Sequence, residues 1–205
     1  MNILDHLYNF VITTSLEYNI DESHALKHSM DVYYYSNRIY MSELSKNKLL
    51  KKHKKIIYVS AILHDMCDKK YMNEEIGLQI IKYFMKDKLD QNELDIVIQI
   101  ISTMSYSTVK KNGYPNLGEY QLAYNIVREA DLLASYDFDR CICYRMFKNN
   151  DSYSSAFENA DNLFITRVLK YIDDNLFETE CAKKIAKKMH NEEIKKIKIL
   201  KDIKF

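Results

Sequence analysis

The chain has 205 residues, with 30 basic and 29 acidic side chains and a formal net charge of +1. That balance offers no global electrostatic ground for binding nucleic acid or an anionic membrane, and 47% hydrophobic with 29% charged residues excludes a disordered chain. Only three glycines and one proline are present. Sheet proteins of this size recruit both residues for their many turns, so an all-α fold is expected.

No run reaches the ~18 apolar residues of a membrane-spanning helix. The opening MNILDHLYNF lacks a basic segment followed by an unbroken apolar stretch, so no secretory signal is expected. Cys67, Cys141, Cys143 and Cys181 form no C-x-x-C pair. They read as reduced core thiols, and a cytoplasmic location follows as the expectation.

In chain order, Leu4, Leu7, Val11 and Ile12 predict a helix over 3–18. Residues 19–23 break it, Asp21 or Ser23 can cap the next, and that second helix is predicted over 23–41. The third, 54–66, is apolar nearly all round (Ile56, Ile57, Val59, Ala61, Ile62, Leu63) and belongs at the centre of a bundle. Asn73 caps a fourth helix reaching 85, and a fifth covers 93–103. The segment 106–118 holds the only proline and two of the three glycines, which predicts a loop. Helices follow over 119–136 and 138–147, then a mobile polar stretch 148–152, then helices over 157–173 and 178–203. This describes one helical-bundle domain over 1–205 with about eight or nine helices. Its motif region covers 20–147, and the C-terminal helices from 156 pack on it. The tail from Cys181 carries nine lysines against three acids, with Ile185, Met189, Ile197 and Leu200 on one face. It reads as an amphipathic helix packed on its own domain with the basic face solvated.

Three segments place metal-competent side chains beside apolar helical faces. Ser23 to His28 puts His24 and His28 four residues apart, on one face. Ala61 to Met66 ends the most apolar helix on His64-Asp65. Arg128 to Leu133 sets Asp131 between Ala130 and Leu132. A carboxylate at the end of a core helix is costly without a cation or partner. Two imidazoles and two carboxylates meeting inside a bundle suit one divalent metal ion: manganese, cobalt, nickel, magnesium, iron or zinc rather than calcium.

The same segments, in the same order, resemble the HD superfamily of metal-dependent phosphohydrolases, and most closely the small bacterial HD hydrolases acting on nucleotides. Those proteins carry a Ser-His-Asp-x-x-His start, a Leu-His-Asp segment followed by Asp-x-Lys, an Ile-x-x-x-Ser-aromatic-Ser stretch and an acidic-Ala-Asp segment. Here these read Ser23 to His28, Leu63 to Lys70, Ile100 to Ser107 and Glu129-Ala130-Asp131. The resemblance implies metal ligation by His28, His64, Asp65 and Asp131. It implies that Asp68 positions or activates the attacking water. Lys70, helped by Lys69 or Arg128, would offset phosphate charge, with His24 and Ser105 lining the substrate site. Its chemistry is metal-assisted hydrolysis of a phosphoester or phosphoanhydride, with a phosphorylated small molecule, a nucleotide above all, as partner.

The chain departs from the pattern in three places. The Asp after the first His is Ala25, the Arg three residues past the ligating His is Asp31, and Leu132-Leu133-Ala134 stands where relatives often have Arg-Leu-Asp. Two alternatives therefore stay open. One is a non-catalytic HD scaffold binding metal or nucleotide as a sensor or interaction module. The other is an alarmone hydrolase, although Asp68-Lys69-Lys70 replaces the acidic pair such relatives carry.

Overall fold

In a computed structural model of the chain, which describes residues 2–203, every regular element is helical. The domain expected over 1–205 extends at both ends beyond these residues, and Lys204 of the basic tail lies outside them. Ten α-helices run as α1 Ile3–Tyr18, α2 Leu26–Leu44, α3 Lys54–Leu63, α4 Glu74–Met85, α5 Gln91–Thr103, α6 Tyr106–Asn112, α7 Gln121–Ala134, α8 Phe138–Asn149, α9 Tyr153–Thr166 and α10 Glu180–Asp202. Short 3-10 turns cover Lys48–His53, Gly118–Tyr120 and Val168–Lys170. None of these helices is long and apolar enough to cross a membrane.

Burial explains the layout. Ile56, Ile57, Val59, Ser60, Ala61, Ile62 and Leu63 of α3 are all buried, so this helix is enclosed by α1, α2, α5 and α7. Helix α7 buries ten of its residues between α2, α3 and α10. Helices α8 and α9 pack as a pair, clasped through Phe138 against Phe157 and Phe164 with ring centroids 5.2 Å apart in both contacts. Ile185 and Ile197 of α10 are buried, and the helix lies on α7 and α2, as its amphipathic pattern predicts.

Four differences from the sequence reading have local causes. The 106–118 segment is not all loop. Ser105 caps α6 through Thr108 N at 3.2 Å, and Gly113, at φ 77°, ends it, so proline and glycine there mark only its exit. Helix α2 begins at Leu26 rather than Ser23, and its N-cap, Ala25, makes no side-chain cap bond. Asp21 instead accepts the Ser23 amide at 3.0 Å and holds 21–25 as a turn. Helix α9 starts and stops earlier than predicted because Ser152 caps it, accepting from Ser155 N. The 148–152 stretch forms a tight corner with contacts of its own: Asn150 takes the left-handed conformation at φ 56°, and Arg145 binds Asp151 at 2.7 Å.

Candidate metal centre

Three helices deliver the four predicted ligands to one place. His28, in the first turns of α2, is 2% exposed, and His64 caps the C-terminus of α3 at 7%. Asp65 follows in the turn beyond α3, and Asp131 projects from the last turn of α7. The Nε2 atoms of His28 and His64 lie 3.1 Å apart. Asp65 Oδ2 stands 3.3 Å from His28 Nε2 and 3.4 Å from His64 Nε2. Asp131 Oδ1 reaches the same nitrogens at 3.3 and 3.6 Å.

The donors of His28, His64 and Asp65 all lie within 4.8 Å of one another and suit one cation, while Asp131 faces the two imidazoles from outside that group. Donors bound to one ion at about 2.1 Å sit roughly 3.0 to 3.4 Å from each other when the angles between them are near 90° to 110°. The hydrogen bonding of His64 fits as well. Its Nδ1 donates to the Ala61 carbonyl at 3.0 Å, which turns Nε2 toward the cluster, as ligating histidines are commonly held. His28 is held differently. The Arg140 guanidinium lies against His28 Nδ1, so ligation through Nε2 requires that Arg140 withdraw and Nδ1 carry the proton.

Electrostatics bind the groups to one another. Burial opposes charge on His64, but the Asp65 carboxylate, joined by Asp131, outweighs it and holds its pKa well above the ordinary value. Burial likewise opposes ionisation of Asp65 and Asp131. The neighbouring imidazoles prevail, His64 foremost for Asp65 and the His28 hydrogen bond foremost for Asp131, and both carboxyls stay well below the usual range.

A second layer surrounds the cluster. The His24 ring lies 6.3 Å from that of His28, although His24 sits in the turn ahead of α2 rather than on its face. Lys70 Nζ donates to His24 Nε2 at 2.9 Å. His24 Nδ1 therefore carries the proton and meets Ser23 Oγ at 2.6 Å and Tyr71 Oη at 3.0 Å. Tyr71 in turn donates to Asp21 at 2.6 Å. Burial first, then Lys70 and Arg140, push the His24 pKa down to about 4, so the ring is neutral at physiological pH.

The remaining predicted residues fall in three places. Asp68 turns to Lys70, accepting its amide at 2.9 Å and facing its ammonium at 3.2 Å; it meets the second layer through that lysine. Lys69 is exposed. Arg128 and Ser105 are not brought to the cluster. Arg128 is 2% exposed, donates to the Leu176 carbonyl at 2.8 Å and lies over the Tyr114 ring. Three positions before Asp131, it points from α7 toward the segment leading to α10, and this corrects its expected role at phosphate. Ser105 caps α6 and bonds Thr108 Oγ1 at 2.7 Å, which accounts for its hydroxyl.

Sequence reasoning missed Arg140, Tyr71 and Tyr144. Only the four-residue spacing of Arg140, Tyr144 and Lys148 along α8 could have signalled that one face of that helix turns to the site. Compared with models of protein families, with curated proteins and with solved structures, the chain matches none.

Proposed function

We propose that this chain is a divalent-metal-dependent phosphohydrolase, cleaving a phosphoester or phosphoanhydride bond of a nucleotide or nucleoside triphosphate. The observation that carries the reading is the convergence of His28, His64, Asp65 and Asp131 from three helices, with His64 Nδ1 tied to a backbone carbonyl so that Nε2 turns toward the cluster. The ordered resemblance of four motif segments to the HD superfamily supports it.

A divalent cation held by these four side chains supplies Lewis acidity and neutralises phosphoryl charge. The chain's own residues do the rest. Lys70, gripped by Asp68 and His24, holds a positive charge at the rim, where it offsets charge developing on the phosphoryl oxygens. Neutral His24, bonded to Ser23 and Tyr71, keeps that lysine aimed. Asp68 is the proton-handling carboxylate of this reading, released when Lys70 turns to substrate.

The engagement of Asp68 with Lys70, together with Ala25 and Asp31, favours a second reading, a non-catalytic scaffold that binds metal or nucleotide. The deciding experiment strips the protein with chelator, restores manganese, cobalt, nickel, magnesium, iron or zinc singly, and follows a nucleotide panel by chromatography with Asp65→Ala as control. Metal-dependent product, absent from the control, is expected. Silence with every metal, while metal still raises the melting temperature, would overturn the hydrolase reading in favour of the scaffold.

A further inference from the structure

Helix α8 places Arg140, Tyr144 and Lys148 at four-residue intervals, on a single face. Each member of that face meets a different part of the site. The Arg140 guanidinium lies against His28. The Tyr144 ring stands 5.5 Å from that of His24. The Lys148 ammonium covers the Tyr71 ring at 4.4 Å. Arg140 and Tyr144 are half-buried and Lys148 is exposed, so the stripe runs outward from the cluster to solvent. At about 1.5 Å of rise per residue it spans roughly 12 Å along the helix axis.

Charge on this face is uncompensated. The ion pairs nearby are Lys70 with Asp68 and Arg145 with Asp151. Among the described residues, no carboxylate pairs with Arg140 or Lys148. A half-buried guanidinium whose side-chain partner is an imidazole carries a desolvation penalty that an anion would relieve. Aromatic rings gather along the same face: that of His24 stands 5.5 Å from Tyr71 and 5.5 Å from Tyr144.

We propose that this face of α8 is the recognition wall of the site and takes a phosphorylated ligand bearing a planar ring, of the nucleoside monophosphate type. Arg140, nearest the cluster, forks onto phosphoryl oxygens. Tyr144 and Tyr71 receive the planar ring. Lys148 leaves the Tyr71 face and donates to an acceptor at the ring's far edge. The assignment rests on the reading of the His-Asp cluster as a phosphoryl-handling centre, and it goes further by naming what selects the ligand.

The test is equilibrium binding, which needs no turnover. Metal-loaded full-length protein is titrated calorimetrically with the non-hydrolysable 5'-phosphonate analogue of adenosine 5'-monophosphate, and with methylphosphonate and inorganic phosphate as shorter probes. Wild type is compared with Tyr144→Leu, Lys148→Ala and Arg140→Lys, each shown to fold by its thermal melt. Tyr144→Leu and Lys148→Ala should weaken the nucleoside phosphonate at least about fivefold, the order for one lost stacking or ionic contact, and leave the short probes unchanged. Arg140→Lys should weaken all three. Wild-type affinities in every variant, or no binding of any probe to wild type at millimolar concentration, overturn the proposal. Binding with this pattern but no turnover of any substrate removes the hydrolase reading and keeps the wall. Metal-dependent turnover with unchanged KM in all three variants does the reverse.

Discussion

The Nε2 atoms of His28 and His64, 36 residues apart in the chain, approach to 3.1 Å inside the bundle, with Asp65 and Asp131 each within 3.6 Å of both. Two imidazole nitrogens so close require a shared proton or a shared cation between them. The carboxylates offset either one.

Asp131→Asn removes one of the two charges that hold this arrangement. In wild type, a divalent cation should raise the melting temperature, because it binds the folded state and not the unfolded one. In the variant that rise should disappear. Metal-free protein should lose about 2 kcal/mol, below the ~3 to 5 kcal/mol for breaking a fully buried pair, because the carboxylate is 21% exposed. Thermal and urea melts with chelator or with manganese measure both effects. A variant that manganese still stabilises as wild type would remove Asp131 from the ligand set.

The pH dependence follows from the shifted groups. His64 is raised in the folded state, so its contribution is complete below the ordinary histidine value of about 6.5 and fades as pH rises through the folded pKa. Asp65 and Asp131 are lowered, so theirs is complete above about 3.9 and fades as pH falls through their folded values. The cluster therefore stabilises metal-free protein most between about pH 4 and 6.5. Metal binding needs His64 neutral, so metal affinity should climb with pH across neutrality, by up to about tenfold per unit. Urea midpoints in chelator against pH, and calorimetry in buffers of different ionisation heat, check the two slopes.

Arg140→Gln tests the contact at His28. A glutamine oxygen can accept a proton from His28 Nδ1, which the guanidinium cannot. The variant should bind manganese at least as tightly as wild type, by competition against a chromophoric chelator. Affinity reduced tenfold would show that Arg140 supports the site rather than restrains it.

The side chains that meet at the cluster stood out in the sequence because of their surroundings. A His-Asp pair closing a helix as apolar as α3 has few structural explanations, and Asp131 lies in a helix that is otherwise largely buried. Arg128 misled because it shares a helix with Asp131. Three residues turn a helix by about 300°, enough to send its guanidinium to Leu176 instead of the cluster. Arg140 was harder to pick out, since it meets His28 across 112 residues and its one local signal is the four-residue spacing it shares with Tyr144 and Lys148. Helix α6 was hidden because Gly113, Pro115 and Gly118 made 106–118 read as a loop, whereas Ser105 Oγ caps the Thr108 amide and the helix runs until Gly113.

Gly77 marks where α4 crosses the turn that follows the ligands. A Cβ there would lie 2.6 Å from Cys67 Cβ and 2.7 Å from Cys67 Cα and Met72 Sδ, and the Cys67 backbone cannot simply swing aside. Gly77→Ala should destabilise by about 2 kcal/mol through overpacking, against the ~1 kcal/mol that helix propensity alone would add. Urea denaturation gives the sign. Manganese affinity should fall as well, because the displaced turn begins at His64 and Asp65.

Because α2, α3 and α7 each contribute donors, no fragment ending before Asp131 holds the full set. Asp131, against His28, closes a long loop of the chain, and such closures are entropically late. An ion at the cluster would thus act as a clasp on the last docking step. It should slow unfolding more than it speeds folding, so long-lived protein in a cell would depend on metal supply even where no substrate is present.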